Sequence, residues 1–437
     1  MVLLPIVVAV VLLILLIAAG RVPPFVAFII AALVAALLLG MPLAKIPGSI
    51  EHGVGDLLGS LAGVIVLGAM FGKLIADSGA AQRIAESLIG LFGQKRLPIA
   101  MTATGFIVGI PLFYNVGFVL MVPLVFSISH RARLPAIYAG MPLFAGLSIA
   151  HGFLPPHPSP TALVAQFGAD LGLTLIYGLV VGIPTLLIAG PLFAMTLRRI
   201  EARPSALFKP IDTAESALPG TFNSFACALL PVVLIAGTTA LNALPTIDPT
   251  AKILLAFVGN PMIVLLLSLA IAAVALGTMR GMALRTLMDG FGAAVRDIAT
   301  ILLIIAGAGA LKQVLIDSGA DAQLGAMLGS LPIHPLLLGW LLAFAIRIAL
   351  GSATVAGLTA ASLIRPLVLA GGVDPNLMVL AIGAGSLMCS HVNDSGFWMF
   401  KEYFGLSLRD TFRSWTLMET IVGTFGLGFV LLLSLWV

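Results

Sequence analysis

Charge is scarce in this chain of 437 residues. Only 9% of its residues are charged and 60% are hydrophobic, whereas an average soluble domain has about 25% charged and about 45–50% apolar residues. No soluble fold of this length could bury so much apolar surface. The composition excludes a soluble globular protein and predicts a polytopic membrane protein, with room for about ten or more spans of roughly 20 residues each.

Cysteine is also scarce, and basic residues are dispersed. The two cysteines, Cys227 and Cys389, lie in apolar segments and indicate nothing about the redox compartment. A net charge of +4 without a basic cluster argues against a nucleic-acid partner. The apolar stretch at 2–19 lacks a basic leader and a small-residue cleavage site, so we expect a retained span and not a signal peptide.

The motifs of membrane-embedded enzymes are missing as well. The sequence contains neither the HExxH of zinc proteases nor the paired aspartates of prenyl transferases, and its glycine-rich stretch at 307–310 is not completed by Lys-Ser or Lys-Thr. His151 and His157 are six residues apart, which does not suit two metal ligands at i and i+4 on a helix. We therefore expect neither an enzyme nor a metal site nor a bound cofactor.

An internal repeat is present. LIADSGA at 74–80 recurs as VLIDSGA at 314–320, an offset of 240 residues, and the same offset relates His151 to His391. Each match alone is weak because Gly, Ala and Leu are abundant in this chain. Several matches in the same order at one offset indicate a duplication.

The hydrophobic segments form two matching sets. In the first half they lie near 2–20, 24–42, 57–76, 97–129, 135–167 and 171–197, and in the second near 225–244, 253–278, 298–316, 333–370, 376–404 and 415–437. Polar or helix-breaking residues interrupt two segments in each half, at 110–117, 151–160, 351–354 and 390–396. We therefore divide the chain into a first repeat at 1–197, a cytoplasmic linker at 198–224 and a second repeat at 225–437.

The distribution of Lys and Arg predicts the topology, because cytoplasmic loops carry an excess of both. Basic residues flank the segment 97–129 at both ends, including Lys95 and Arg131. Both ends then lie on the cytoplasmic side, and the segment is a re-entrant hairpin. With 333–370 as a second hairpin, sixteen of the 22 basic residues fall on the cytoplasmic side and only Lys45 and Lys252 fall outside.

Each half then has five full spans and one hairpin. Five is odd, so the second half is inverted relative to the first and both termini lie outside. An all-α inverted repeat with interrupted helices at the midplane is the recurring plan of secondary transporters. Irregular backbone at membrane depth is tolerated only where it lines a cavity, so we expect the four interruptions to meet and form a substrate site. A channel is less favoured, because nothing indicates a continuous pore.

In the first half, the interruption at 110–117 carries aromatic and amide side chains, and the one at 151–160 carries two histidines and four prolines. Proline stops a helix, and the N-terminus of a returning hairpin arm favours an anion. The alternative is that these residues only cap a helix or satisfy interhelical hydrogen bonds. The residues that we expect to bind substrate here are Tyr114, Asn115, Gly117, His151, Pro155 and His157.

In the second half, the interruptions carry the charged groups. The residues that we expect to bind substrate are Gly351, Ser352, Thr354, Asn393 and Arg347. Arg347 either offsets a substrate carboxylate or pairs with another residue. Asp394 is the acid that we place near mid-membrane, with Asp297 and Glu419 nearer the ends of spans. An intramembrane carboxylate is a functional hypothesis by default.

The candidates for proton coupling are Asp394, His391 and His151. The alternative role for Asp394 is structural, as a partner of Arg347, of Lys401 or of a helix end.

Several long motifs carry a family resemblance. They are GAMFGKLIADSGAAQRIA (68–85), FYNVGFVLMVPLVF (113–126), HGFLPPHPSPTA (151–162), RIALGSATVAGLTA (347–360) and SHVNDSGFWMFKEYFGLS (390–407). With these motifs, essentially the whole chain resembles the gluconate permease family of proton-coupled sugar-acid transporters. The resemblance implies a permease of the bacterial inner membrane that imports a sugar-acid anion by proton symport. The wider superfamily implies a homodimer with elevator-type alternating access, in which a moving domain holds both hairpins.

One position departs from the family pattern. Many members have Glu where this chain has Asn115. Asn cannot carry a proton, so either coupling depends on another group or the substrate preference differs. The family also handles idonate, fructuronate, glycerate and D-serine, which leaves gluconate as the leading substrate among several hydroxy acids.

Overall fold

A computed structural model describes residues 3–93, 96–112, 114–200, 202, 218–242, 248–320, 323, 327–328, 330–392 and 394–437. Within these ranges the regular elements are helices and no strand occurs. Seven of the helices are long and apolar enough to cross a bilayer. Large apolar side chains such as Leu4, Ile253 and Met279 are exposed on the outer surface, as expected where lipid is the solvent. The chain is a multi-pass membrane protein.

Nine α-helices lie in the described residues that precede the polar linker. They are α1 (Leu3–Ala18), α2 (Pro24–Leu38), α3 (Ile46–Asp77), α4 (Ala80–Phe92), α5 (Leu97–Gly109), α6 (Tyr114–Ala132), α7 (Ala136–Phe153), α8 (Pro158–Phe167) and α9 (Leu171–Leu187). A π turn at Ile188–Leu192 and a 3₁₀ turn at Met195–Leu197 extend α9.

The remaining described helices follow the linker. They are α10 (Thr221–Asn242), α11 (Pro249–Val258), α12 (Pro261–Ala272), α13 (Leu284–Asp317), α14 (Pro335–Leu350), α15 (Ala353–Leu369), α16 (Pro375–Leu387), α17 (Ser395–Phe404), α18 (Leu408–Thr411) and α19 (Leu417–Leu433). A π turn at Phe412–Thr416 joins α18 to α19, so the last span is nearly continuous from Leu408.

Two segments differ from the sequence prediction for a clear local reason. The span expected near 253–278 is divided, because the Asn260 side chain accepts a hydrogen bond from the Met262 N–H at 3.0 Å and Pro261 begins α12. The amphipathic helix α4 was not expected. Two residues, Ser78 and the left-handed Gly79, separate it from α3, and it buries its apolar face.

The helices α3 and α13 are longer than the predicted spans, at 32 and 34 residues, and they pack against each other. Their backbones approach closely at Gly53 and Gly309. A Cβ on Gly309 would lie 2.2 Å from the Gly53 carbonyl oxygen, and one on Gly53 would lie 2.3 Å from that of Gly309. Only glycine allows this crossing. The two helices end at Asp77 and Asp317, which the offset of 240 residues relates.

All four expected interruptions occur between helices. The arm α5 ends at Gly109 and α6 begins at Tyr114, and α14 ends at Leu350 and α15 begins at Ala353. Likewise α7 ends at Phe153 and α8 begins at Pro158, and α16 ends at Leu387 and α17 begins at Ser395. The arm α5 has 13 residues, about 20 Å at 1.5 Å per residue, which is shorter than a bilayer core of roughly 30 Å. The length of α5 is therefore compatible with one arm of a re-entrant hairpin. The inverted orientation of the halves and the domain boundaries stay predictions.

Candidate functional site

A cavity of about 670 Å³ lies where the interrupted segments meet. Each interruption contributes to its wall: Leu112 and Tyr114 from the first hairpin, His151 from the end of α7, Gly351 and Ser352 from the second hairpin, and Leu387 and Asp394 from the break after α16. The helices α3 and α13 complete the wall with residues that include Lys73 and Asp297. The fold thus brings residues from both halves of the chain into one buried space.

Arg347 is the buried cation of this cavity. It lies in the last turn of α14, only 4% exposed, and its Nη2 donates a hydrogen bond to Asp394 Oδ2. Its Nε and Nη1 are buried and have no hydrogen-bond partner among the described residues. Because an arginine buried in apolar surroundings requires partners for its N–H groups, these two nitrogens are candidate donors for a bound ligand.

Asp394 has donors on both carboxylate oxygens. Ser390 Oγ donates to Oδ2 alongside Arg347, and the Gly396 N–H donates to Oδ1 at 2.9 Å, so that Asp394 caps α17. Trp415 Nε1 in turn donates to Ser390 Oγ at 2.7 Å. These contacts favour the structural alternative, in which Asp394 holds Arg347 and a helix end. A role for Asp394 in proton coupling stays a prediction.

The second hairpin presents hydroxyl groups to the cavity. Ser352 caps α15, with its Oγ accepting a hydrogen bond from the Val355 N–H at 3.4 Å, and Thr354 follows in the first turn. The left-handed Gly351 reverses the chain between α14 and α15. The cavity lies at the N-termini of α6, α15 and α17, where the helix dipoles favour an anion.

In the first half, Tyr114 and His151 line the cavity and their ring centroids lie 5.9 Å apart. His157 does not line it: its Nε2 lies 2.7 Å from the Gly109 carbonyl oxygen and therefore donates to the end of α5. Gly117 serves close packing, since a Cβ there would lie 3.0 Å from the Leu147 side chain. Pro155 lies in the break between α7 and α8, away from the cavity wall.

Three further candidates do not line the cavity or cannot be placed. His391 lies beside the second hairpin, with its Nε2 3.2 Å from the Ile348 carbonyl oxygen, and does not line the cavity. Asn393 and the side chain of Asn115 lie outside the described part of the chain. Their predicted roles are therefore unchanged by the structure.

Glu419 corrects the placement made from the sequence. We expected it near the end of a span, but it is 2% exposed and lines the same cavity as Asp394. The last span begins at Leu408 and not near 415, so Glu419 lies about 16 Å along the helix from its start at 1.5 Å per residue. Ser148 Oγ donates to Glu419 Oε1 at 2.5 Å, and Oε2 has no partner among the described residues. The site was predicted from polar residues that interrupt apolar segments, and Glu419 does not lie in such an interruption.

Lys73 and Lys312, which lie within apolar segments, both find acidic partners. Lys73 Nζ lies 2.9 Å from Asp77 Oδ1 at the cavity wall, and Lys312 Nζ lies 3.5 Å from Asp56 Oδ2.

Among the described residues, no group of three His, Cys, Asp or Glu side chains could hold a metal ion. The cavity therefore offers one buried guanidinium, hydroxyls and an imidazole, a donor set suited to a polyhydroxylated anion.

The sequence of this chain matches a known family of permeases. A model of the GntP family permeases matches residues 1–436. The chain is 45% identical over 433 residues to a high-affinity gluconate transporter of Escherichia coli K12, which covers 98% of each protein. It is 45% identical to the Gnt-II system L-idonate transporter of the same organism, over 95% of this chain and 94% of that one. It is 43% identical to the gluconate permease of Bacillus subtilis 168, over 94% of each.

Two solved structures share the fold. The YdaH transporter of Alcanivorax borkumensis superimposes with a TM-score of 0.66 at 16% identity, over 94% of this chain and 97% of that one. MtrF of Neisseria gonorrhoeae gives a TM-score of 0.63 at 16% identity, over 94% of both chains. At this identity the likeness shows the architecture alone. With its family model matched along the full chain, this protein belongs to the GntP family of permeases and is a membrane transporter, not an enzyme.

Proposed function

We propose that this permease imports gluconate or a closely related sugar acid by proton symport. The observation that carries the proposal is the buried Arg347 in the cavity wall, whose Nε and Nη1 have no hydrogen-bond partner among the described residues. A hydrogen bond from a guanidinium to a carboxylate is charge-assisted and roughly twice as strong as a neutral one. The Nε–H and Nη1–H groups leave the guanidinium in different directions, so a substrate carboxylate on one and a substrate hydroxyl on the other would satisfy both nitrogens.

The rest of the cavity suits the hydroxyl groups of a sugar acid. Ser352, Thr354, His151 and Tyr114 offer donors and acceptors around the guanidinium. A buried polar group without a partner costs about 1–3 kcal/mol, so a polyhydroxy acid fills this wall better than an apolar anion. The volume of about 670 Å³ lies within the roughly 300–1,000 Å³ of small-molecule sites.

The choice of gluconate rests on the relatives. Two of the similar permeases are named for gluconate and one for L-idonate, a stereoisomer with the same carboxylate and number of hydroxyls. Another hydroxy acid or D-serine is the second candidate, favoured by Asn115 at the position where many family members have Glu. Either substrate is a small organic anion or zwitterion with a carboxylate for Arg347.

Proton coupling and the elevator motion are part of the same proposal. A negative-inside potential opposes anion entry by about 2.3 kcal/mol per charge per 100 mV, and a co-transported proton removes that cost. The family resemblance and a cavity walled by both hairpins support a moving domain within a homodimer. The coupling ion is then H⁺, and no cofactor takes part.

Counterflow in proteoliposomes tests the proposal. Vesicles loaded with unlabelled gluconate should concentrate labelled gluconate transiently, because only a carrier exchanges one substrate molecule for another. An acidic exterior should drive net accumulation, and replacement of Na⁺ by K⁺ should leave it unchanged. Unlabelled L-idonate and D-serine inside the vesicles rank the alternative substrates. Equilibration without counterflow would indicate a channel, and counterflow with D-serine but not gluconate would change the substrate.

A further inference from the structure

Glu419 is a buried carboxylate that the proposed function does not yet use. It lies on α19 at 2% exposure and faces the cavity. Its Oε1 accepts the hydroxyl of Ser148, and its Oε2 has no hydrogen-bond partner among the described residues. No ion pair joins it to a cation in the part of the chain that the structure describes. A charged carboxylate in such a place is costly unless it is paired.

The ionisable groups that line the cavity together with Glu419 come from several elements. Tyr114 lies on α6, His151 on α7, Arg347 on α14, and Asp394 precedes α17. Lys73, Asp77 and Asp297 line the cavity from α3 and α13, and Lys73 is paired with Asp77. Arg347 donates to Asp394. The charges of Arg347 and Asp394 therefore cancel, and an ionised Glu419 would leave this part of the cavity negative before any substrate enters.

We propose that Glu419 is the residue that binds the co-transported proton. This inference rests on the proposed function and specifies its coupling site. The proton enters from outside with the substrate and binds the free Oε2. The protonated carboxyl group is neutral, so the cavity accepts one substrate anion at Arg347 without a second uncompensated negative charge. On the cytoplasmic side the proton leaves and the anion is released.

The coupling follows from electrostatics and is reciprocal. A proton on Glu419 favours the substrate anion because it removes a like charge from a cavity of low dielectric constant. By linkage, the anion then favours the proton by the same factor. Asp394 is less suited to this task, since Arg347, Ser390 and the Gly396 N–H all donate to it. Protonation of Asp394 would break contacts that hold Arg347 and the start of α17.

The isosteric variant Glu419→Gln tests the proposal, because an amide resembles the protonated carboxyl group but cannot release a proton. It should keep gluconate counterflow and lose at least tenfold of the uphill accumulation that an inward proton gradient drives in the wild type. In the wild type, the binding of gluconate should be linked to the uptake of one proton. Once the pH is high enough for that proton to dissociate from the free protein, gluconate affinity should fall by about tenfold for each further pH unit. In Glu419→Gln the affinity should be independent of pH.

Two further variants complete the experiment. Glu402→Gln is the matched control, since Glu402 is exposed, pairs with Lys401 and does not line the cavity, and it should behave like the wild type. Glu419→Asp keeps a titratable group and should restore part of the uphill accumulation, with a shifted pH profile. If Glu419→Gln does not fold, an unchanged pH profile of gluconate affinity in Glu419→Asp overturns the proposal.

The outcomes separate this inference from the proposed function. Absence of gluconate counterflow in the wild type would refute the proposed substrate, and counterflow without proton-driven accumulation would refute symport. If the wild type shows both and Glu419→Gln still accumulates gluconate with the usual pH dependence, Glu419 does not bind the proton. Loss of gluconate binding in a folded Glu419→Gln at every pH would make Glu419 a substrate ligand and would also overturn the inference.

Discussion

The two halves of the chain bring different chemistry to one cavity. The first half supplies Tyr114 and His151, which are uncharged or weakly basic, and the charges of its Lys73 and Asp77 are paired with each other. Its prolines break the helix between α7 and α8. The second half supplies the guanidinium of Arg347 and the carboxylates of Asp394 and Glu419. The interruptions nevertheless occur at matching places along the two halves, as the predicted repeat requires.

This difference indicates a division of labour. A repeated backbone places irregular segments at the same depth from both halves, which an alternating-access carrier requires. A sugar acid has its charge at one end and hydroxyls along the rest, so one half must hold the carboxylate. We infer that the second half binds the charged end and couples the proton, while the first half contacts neutral groups and shapes the cavity.

The largest effect is expected in cysteine labelling that tests the membrane topology, because a cysteine on one side of the membrane either reacts with an impermeant reagent or does not react at all. In a variant with Cys227 and Cys389 replaced by alanine, single cysteines at Arg131 and Ser205 should react with a membrane-impermeant maleimide only from the cytoplasm. A single cysteine at Asp248 should react only from outside. The physical basis is the cytoplasmic excess of Lys and Arg on either side of the segment 97–129.

The labelling pattern decides whether the two halves can be compared at all. Right-side-out vesicles and inverted vesicles give the two measurements, and each single-cysteine variant must first retain gluconate counterflow. Reaction at position 131 from outside would make the segment 97–129 two crossings. The halves would then no longer be inverted relative to each other.

Arg347→Ala should have the largest effect on binding. Truncation of one partner of a buried charge pair costs about 2–5 kcal/mol, so gluconate affinity should fall by at least thirtyfold. Part of the damage is structural, since Asp394 would be left as an unpaired buried carboxylate. Isothermal titration calorimetry and thermal unfolding in detergent measure the two effects separately.

Two variants separate binding from folding at this pair. The double variant Arg347→Ala/Asp394→Ala should recover much of the thermal stability without recovering affinity, because no buried charge is left unpaired. Arg365→Ala is the control, since Arg365 lies on α15 and donates to the Gln166 carbonyl oxygen at 3.0 Å, outside the cavity wall. Full recovery of affinity in the double variant would assign Arg347 a purely structural role.

The position of three cavity residues could be predicted from the sequence for a physical reason. Polar groups and helix breakers inside apolar segments are costly unless they line a cavity, so Arg347, Ser352 and Asp394 are candidates from the sequence alone, and all three line the cavity. Their binding of substrate stays a prediction. Glu419 was missed because it lies within an unbroken span whose start was placed about seven residues too late. Its depth depends on where the helix begins, which hydropathy locates poorly in the run from Leu408.

Contacts between residues far apart in the sequence were the other feature of the site that the sequence could not predict. The sequence contains a break at 151–160 but does not show which of its two histidines faces the cavity. The orientation depends on how α7 packs against α5, where Gly105 and Gly146 allow the backbones to approach closely. Such packing depends on how the surfaces of two helices fit together, and the hydrophobic periodicity within one helix does not predict that fit.

The hydroxyls of the second hairpin should have intermediate effects. Thr354→Ala should weaken gluconate binding by about 1–3 kcal/mol, or roughly 5- to 150-fold, because a substrate hydroxyl loses its partner. Ser352→Ala should weaken binding similarly and also lower the free energy of unfolding by about 1 kcal/mol, since Ser352 caps α15. Thr359→Ala is the control on the same helix, with a hydroxyl that donates to the Val355 carbonyl oxygen. Unchanged affinity in both hairpin variants would move the site away from this hairpin.

The smallest effect on affinity is expected at His157. His157→Phe keeps a ring of similar size but removes the donor to the Gly109 carbonyl oxygen. A buried carbonyl without a partner costs about 1–3 kcal/mol, so the unfolding temperature should fall while gluconate affinity stays at the wild-type value. His151→Phe should do the opposite, because His151 lines the cavity and removal of its polar nitrogens leaves substrate hydroxyls unpaired. Calorimetry and thermal unfolding on the two variants distinguish these roles. If His157→Phe lowers affinity at unchanged stability, His157 belongs to the substrate site, as the sequence predicted, and the first half takes a larger share in binding than the cavity wall indicates.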